Sequence, residues 1–396
     1  MAIYSAEHRR LMEIFHPSES QQYSELLSSL GSFMEKEILP ASPRIDTGET
    51  KIAGLRKKLL EQGMCQIPFP EEYGGLGLDL ISSVVVAEEI ARVSLSAGLI
   101  IGVQNGLVAY PISEFGTKEQ KEKYLPALAK GDILGSYGLT EPGAGSDAAN
   151  IQTKAEKTSR GSYKINGSKI WISQGLLADV VVLFTRTGSV ADGAAGMTAF
   201  VVDKGTPGFK VGGKLEVIGI RGTGTAELVF NDCTVPGTNM LGSPGDGFLI
   251  AMAVLNQGRI GAAAGALGVA SAALEASISY SKKRVLFDRP LEKFEWIRFL
   301  IADMATRIEA SRLLTYRAAY LRDKGEEFVK EASMAKVFST ETAVWVCERA
   351  IQIHGGIGLS KLLPLERYLR DAKILDIVEG TSEVQRWILS REILQD

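Results

Sequence analysis

The sequence predicts an α+β fold: an N-terminal all-α domain over 1–132, a small β-barrel or sandwich over 133–240 and a C-terminal four-helix bundle over 241–396. Three observations carry this expectation. Apolar residues recur at helical spacing through the first third and most of the last. The middle is instead rich in β-branched runs bounded by Gly and Pro. The chain of 396 residues is too long for one ordinary core.

In chain order, Tyr23 to Leu39 has helical periodicity, and Pro40 and Pro43 are expected to end it. Ile52 to Gln62 reads as a second amphipathic helix closed by Gly63. Pro68, Pro70 and Gly74-Gly75-Leu76-Gly77 mark a loop, after which Leu80 to Arg92 and Lys118 to Ala129 resume helical spacing. Tyr163 to Ile172 alternates around Asn166-Gly167, which predicts a hairpin there. Val180–Arg186, Thr198–Asp203 and Glu227–Phe230 predict strands. From Gly247 the pattern is helical again: Ile260–Lys283 rich in small residues, then Ile297–Lys324, Val329–Ile353 and Glu383–Leu394, which together predict an antiparallel bundle.

Composition narrows the function. The chain is 45% hydrophobic and 23% charged with a net charge of −3, so it offers no basic footprint for nucleic acid. Cys65, Cys233 and Cys347, like His8, His16 and His354, are scattered without metal-ligand spacing; reduced thiols and no metal are expected. The N-terminus has charges and a proline where an export signal needs an apolar run. The most apolar later stretch, Ile260 to Leu274, reads as too short and too weakly apolar to span a bilayer. The expectation is a soluble, cytoplasmic protein with no membrane partner.

The segment Gly138-Leu-Thr-Glu-Pro-Gly-Ala-Gly-Ser-Asp147 carries chemistry. Gly143, Gly145 and Ala148 satisfy a GxGxxA dinucleotide pattern, but that pattern needs a strand before it and a helix after it. Pro142 interrupts the approach and β pattern follows, so the Rossmann reading fails on context. What remains is a glycine-rich loop with exposed amides and the hydroxyls of Thr140 and Ser146, suited to a flat heterocycle or a phosphate, or else an ordinary connection.

TEPGAGSD resembles the first signature of the acyl-CoA dehydrogenase family, and the resemblance extends along nearly the whole chain. Trp171-Ile172-Ser173 resembles its W-I-[TS] flavin contact, and Arg284-Val-Leu-Phe287 its R-x-x-F turn. Gln352-Ile353-His354-Gly355-Gly356-Ile-Gly358 resembles the glycine segment lent to a neighbouring subunit's FAD. Val378-Glu379-Gly380-Thr381-Ser382-Glu383-Val-Gln-Arg386 resembles the E-G-T-[SA]-x-x-Q-R ending. The resemblance implies FAD at Tyr137, Gly138, Leu139, Thr140, Gly145, Ser146, Trp171, Ile172 and Ser173, with Thr381, Ser382 and Glu383 near it. It implies Arg284 and Phe287 at the cofactor's diphosphate region and, across the dimer, Glu295 and the Gln352–Gly356 segment. It implies acyl-CoA contacts at Ser146, Asn256, Arg259 and Gly380, and Glu379 as catalytic base.

A glutamate suits that task. Removing a weakly acidic α-proton from a thioester needs a base strengthened by burial, with donors on the carbonyl oxygen. The flavin takes the β-hydride. Glu379 also stands where a helix N-terminus favours an acid in any case. One branch of the family places the base immediately before the arginine matched by Arg259; here that residue is Gly258, which leaves Glu379 and favours short- or medium-chain substrates, branched ones included. Four positions depart from the family pattern: Glu295 for a glutamine, Asp288 for a glycine, Leu359 for an aromatic and Asn256 for an aspartate.

The resemblance further implies trans-2-enoyl-CoA as product, an electron-transfer flavoprotein as acceptor and a homotetramer built as a dimer of dimers. Rival readings are an oxygen-using oxidase of the same fold, a DNA-associated relative, which would need a basic extension, and a scaffold with no use for the base. Gly98, beside Leu99, Ile100 and Ile101, matches the place of the arginine that binds the distal carboxylate in glutaryl-CoA dehydrogenases, so an apolar acyl wall is expected.

Overall fold

A computed structural model describes residues 30–49, 54, 58–59 and 61–395. The first helix runs through Ile38, where Met34–Ile38 widens into a π turn, and the chain turns at Leu39–Ala41. Pro43 does not end this helix: it lies in the first turn of a short helix, Ser42–Asp46, where its missing N–H costs nothing. Most of the helix expected over Ile52–Gln62 lies outside the described residues, as does the start of the one expected from Tyr23.

In the 68–77 loop, a Cβ on Gly75 would stand 2.0 Å from the Phe69 carbonyl oxygen, so only glycine fits. Helix α1 (Leu80–Val93) follows, its first turn capped twice. Asp79 accepts from Ser82 N at 2.8 Å, and the distant Asp323 carboxylate accepts from Leu80 N and Ile81 N at 3.0 Å each. Helix α2 (Leu95–Gly102), a π segment (Val103–Ala109) and α3 (Tyr110–Phe115) form one apolar run. Helix α4 (Lys118–Lys130) opens with a Thr117–Gln120 capping box and stops at left-handed Gly131.

The middle region is one eight-stranded sheet, ordered β6-β7-β3-β2-β4-β5-β8 with β1 parallel to β4. Its strands are β1 (Gly135–Gly138), β2 (Lys154–Lys157), β3 (Tyr163–Ile172), β4 (Val180–Arg186), β5 (Met197–Asp203), β6 (Phe209–Lys214), β7 (Ala226–Val235) and β8 (Met240–Leu241). Alternation splits β4 between two cores. Val180, Val182 and Phe184 pack on Val108, Leu125 and Val254 from the helices, whereas Val181 and Leu183 pack on Ile165, Leu228 and Phe230 from the far strands. A core drawn only from strands means that the sheet curls over itself.

The expected hairpin at Asn166-Gly167 is absent. Both residues lie inside the single strand β3 at a register shift, where a Cβ on Gly167 would come 2.6 Å from Thr153 Oγ1. Asn166 instead bonds the bulged strand opposite, accepting from Asp232 N at 2.8 Å. The turn lies earlier, at 158–162, where Thr158 N donates to Ser162 O at 2.8 Å. Strands β1, β2 and β6 carry too few β-branched residues to have been anticipated.

The C-terminal bundle comprises α5 (Gly247–Lys283), α6 (Glu295–Asp323), α7 (Val329–His354) and α8 (Leu365–Ile377), all of which contribute to one core. A two-strand ribbon, β9 (Val285–Leu286) with β10 (Arg289–Pro290), joins α5 to α6. Helix α9 (Ser382–Leu394) follows α8 and lies against α7. Two helical runs, Leu95–Phe115 and Gly247–Lys283, are long and apolar enough to cross a membrane by length and composition. The apolar stretch in α5 is therefore longer than the sequence suggested. Its apolarity serves protein packing, since most of it is buried inside the bundle.

Candidate active site

Glu379 sits in the short connection between α8 and α9. Its backbone is left-handed (φ 59°), as is that of Gly380 (φ 90°), a conformation that costs a glutamate free energy unless its surroundings hold it. They do. Lys336 Nζ donates to Asp376 O at 3.0 Å, and the Ser382 hydroxyl donates to Asp376 Oδ1 at 2.5 Å. Gln385, wholly buried, donates from Nε2 to Glu379 O at 3.3 Å and to Gly380 O at 2.9 Å. Thr381 caps α9 by accepting from Val384 N.

The turn aims the carboxylate at α5. A Cβ on Gly258 would lie 2.5 Å from Glu379 Oε2, so this glycine is the space that the carboxylate occupies. Although Glu379 as a residue is half-buried, its Oε2 is covered and has no hydrogen-bond partner in the described residues. Burial pushes the carboxyl up to about 7 against the opposing pull of Arg259 and Lys336. Both cations are themselves buried. Desolvation lowers Arg259, and it lowers Lys336 to about 8. Arg259 Nη1 donates to Asn256 Oδ1 at 2.6 Å, so Asn256 can hold the guanidinium as an acceptor although it carries no charge. The Tyr137 hydroxyl is also buried, with no partner among the described residues; burial, then the nearby Glu379 charge, raises its pKa.

Beyond Gly258 the same face of α5 presents Gly261, which has nothing within 4 Å of a Cβ, and then Gly265, against which Leu95 and Leu375 close at 3.1 and 3.6 Å. This glycine face leads away from the carboxylate and ends against apolar side chains. Gly98 does not line it in the way the sequence suggested: its Cβ direction faces Ala91 of α1, at 3.6–3.8 Å.

Strand β1 brings Tyr137 and Gly138 to the site, with Leu139 and Thr140 just after it. The Ile170 N donation to Thr140 O, at 3.0 Å, ties this segment to Trp171, Ile172 and Ser173. Trp171 is left-handed (φ 60°) and its side chain is 55% exposed, which is unusual for a large aromatic on an otherwise well-packed strand. Ile172 and Leu139 point into the core. Gly145 and Ser146 form an exposed rim, and Gly143 and Gly145 have open space around them. No group in the described residues takes the Thr140 N–H. A free peptide donor, an orphaned buried hydroxyl and an exposed indole on two hydrogen-bonded segments fit a flat heterocycle such as a flavin. Of the later motif residues, Ser382 and Thr381 use their hydroxyls to build the turn, and Glu383 is exposed in the first turn of α9.

The remaining motif residues gather at the opposite end of α5. Arg284 ends that helix; Phe287, 87% exposed, tips the ribbon; Glu295 starts α6. His354 stacks on Tyr280 at 4.2 Å and its Nδ1 faces Ala350 O at 2.7 Å. This leaves Gln352, Gly355 and Gly356 exposed and Ile353 buried. Arg259 and Arg284 are 25 positions apart on one helix, about 37 Å at 1.5 Å per residue. One chain does not bring the two halves of the motif set together.

Sequence reasoning missed Lys336 and Tyr137's hydroxyl as part of this site. Lys336 was detectable: it shares the inward stripe of α7 with Ala332, Ser339 and Ala343, where a lysine has no packing reason to be.

Family models described as acyl-CoA dehydrogenase N-terminal, middle and C-terminal domains match residues 20–132, 136–233 and 245–394. The chain is similar to an acyl-CoA dehydrogenase of Bacillus subtilis, 48% identical over 91% of this chain and 95% of that protein. It is similar to the human mitochondrial short-chain specific acyl-CoA dehydrogenase, 41% identical over 98% and 94%. The solved structure of butyryl-CoA dehydrogenase from Megasphaera elsdenii superposes with a TM-score of 0.92 at 43% identity, covering 94% of this chain and 98% of that one.

Proposed function

The chain belongs to the acyl-CoA dehydrogenase family, and on that premise we propose that it uses FAD to desaturate short- or medium-chain acyl-CoA thioesters to trans-2-enoyl-CoA, passing electrons to an electron-transfer flavoprotein. The observation that carries this is the Glu379 carboxylate, its Oε2 covered and without a partner in the described residues, set against Gly258 at the head of a glycine face that Leu95 and Leu375 close.

With its carboxyl raised to about 7, Glu379 is a stronger base than an exposed glutamate and still ionises near neutral pH. Arg259 and Lys336 keep enough positive charge nearby for the anion to form. The backbone N–H of Glu379, in the left-handed turn, donates to no group in the described residues and is free to bond a thioester oxygen. Tyr137–Thr140 and Trp171–Ser173 would hold the isoalloxazine of FAD, which when bound supplies the acceptor for the β-hydride. Leu95 and Leu375 close the glycine face seven residues beyond Gly258, about 10 Å along α5, a depth suited to a short or medium saturated chain. The side chains that close the glycine face, Leu95 and Leu375, are apolar and offer a distal carboxylate no partner.

A homotetramer built as a dimer of dimers belongs to the same proposal. Arg284, Phe287, Glu295 and Gln352–Gly356 are too far along α5 and α7 to reach the FAD of their own chain, and a second copy would present them to it.

Stopped-flow mixing of the FAD-loaded protein with butyryl-, hexanoyl-, isobutyryl- and glutaryl-CoA tests the proposal. Rapid bleaching by butyryl- or hexanoyl-CoA, with glutaryl-CoA far slower, is expected. A flavin that no acyl-CoA reduces would overturn it, and fast aerobic turnover without an added acceptor would identify an oxidase.

A further inference from the structure

One charged pair lies wholly inside the middle region, behind the segment that carries Thr140. Lys169 Nζ donates to Glu141 Oε1 at 2.7 Å and to the Leu139 carbonyl at 3.1 Å, and the two side chains are 0% and 6% exposed. Glu141 is further held by backbone donors, Thr153 N to Oε1 at 2.9 Å and Gln152 N to Oε2 at 2.6 Å. Burial lowers Lys169 to about 8, and Glu141 stays below its ordinary value because Lys169 and these donors outweigh its own burial.

A buried pair of this kind contributes little net stability compared with apolar side chains of the same volume. A plain staple would also need only the Lys169–Glu141 bond. The contact with Leu139 is different in kind. The carbonyl that receives the ammonium belongs to the Leu139–Thr140 peptide, and the other end of that peptide is the Thr140 N–H, which no group in the described residues accepts. A cation on the oxygen of an amide makes its N–H a stronger donor, and in a water-free interior that polarisation is not screened. The carbonyl of Thr140, in the next peptide, is fixed by Ile170 N, so the chain is anchored on both sides of the free N–H.

We propose that Lys169, held in place by Glu141, is a positioning residue for the flavin: it charges the Leu139–Thr140 peptide so that the free N–H binds the cofactor's polar edge more tightly when the cofactor is reduced than when it is oxidised. The proposal rests on the FAD reading above. Reduction adds electron density to the acceptors on that edge, so a strengthened donor favours the reduced form and raises the potential of the bound flavin. Lys169 acts through the peptide and touches no reacting atom.

The test compares FAD-loaded wild-type protein with Lys169→Met and with Lys169→Met/Glu141→Gln, measuring FAD affinity and the midpoint potential of the bound flavin. The double variant leaves no lone buried carboxylate and covers the case in which the single variant does not fold. Weaker FAD binding is expected in both, with reduced FAD losing about tenfold more affinity than oxidised FAD, which lowers the potential by about 30 mV. A double variant that folds and binds FAD with the wild-type potential, whatever its melting temperature, would reduce Lys169 to a staple and overturn the proposal. Wild-type protein that binds no FAD would instead sink the cofactor reading itself.

Discussion

The two ends of α5 carry motif residues of the same standing in opposite physical states. At the Gly258–Arg259 end the polar groups are buried, and the turn presenting Glu379 is held by Lys336, Ser382 and Gln385. At the Arg284 end the ribbon tip and Gln352, Gly355 and Gly356 lie on the surface, and Phe287 is almost fully exposed. A single chain therefore completes the surroundings of Glu379 and leaves its other motif residues open. Groups that must be desolvated to work need the chain's own core around them. Groups that a second surface can cover need not be buried until that surface arrives.

Replacing the base probes the closed end most severely. Glu379→Gln should cut flavin reduction by acyl-CoA about 10²–10⁴-fold while FAD content and acyl-CoA binding hold, as read by single-turnover bleaching. A variant that reduces its flavin at the wild-type rate would mean that the closed end is not catalytic.

The same substitution should show what burial costs. Glu379 titrates near 4.5 when unfolded and near 7 when folded, so the folded state keeps a proton that the unfolded chain has already lost between those values. Stability is lost as pH rises through that window, and the loss is complete above it; at 1.36 kcal/mol per pH unit it reaches about 3 kcal/mol. Glu379→Gln should therefore be more stable than wild type at pH 8 and equal to it at pH 4, as measured by denaturant unfolding. A constant difference across that range would contradict the assignment of a raised carboxyl. In the wild-type enzyme, flavin reduction should rise with pH through about 7.

At the open end, Arg284→Ala and Phe287→Ala should each weaken FAD retention by about tenfold, roughly 1.4 kcal/mol, and lower the light-scattering mass on dilution. Changes in single-chain stability should stay within about 0.5 kcal/mol, because both side chains are exposed. If FAD retention is unchanged, the two ends do not belong to one cofactor site.

The smallest effect concerns the ribbon. Phe287 and Asp288 form its two-residue turn with φ of 50° and 60°, the geometry in which glycine is favoured at the second position. Asp288→Gly should stabilise the fold by about 0.5 kcal/mol, since it relieves left-handed strain at the cost of a more flexible unfolded chain. Destabilisation in a thermal melt would show that the aspartate has a role in the turn beyond its backbone.

Legibility in the sequence followed the range of the interaction. Thr117 with Gln120, and Asp79 ahead of Leu80, announce helix starts because their partners lie three residues away. Glu379 was found from its motif neighbours, but its left-handed turn is imposed by Lys336 and Gln385 and could not be seen. Asn166-Gly167 misled because the pair favours a turn only where the chain can reverse. Here Thr153 and Asp232 take the space and the hydrogen bonds that a reversal would need. Lys169 was within reach: it shares its parity on β3 with inward-facing Tyr163 and Ile165, and a lysine on a buried parity signals a partner.

The contact between Gly258 and Glu379 couples two positions that are far apart in sequence. A side chain at position 258, even an alanine, begins 2.5 Å from the present carboxylate oxygen, so the carboxylate has to swing aside to admit it. The residue at 258 therefore decides where the acid at 379 can point, and a change at either position alters the selection acting on the other.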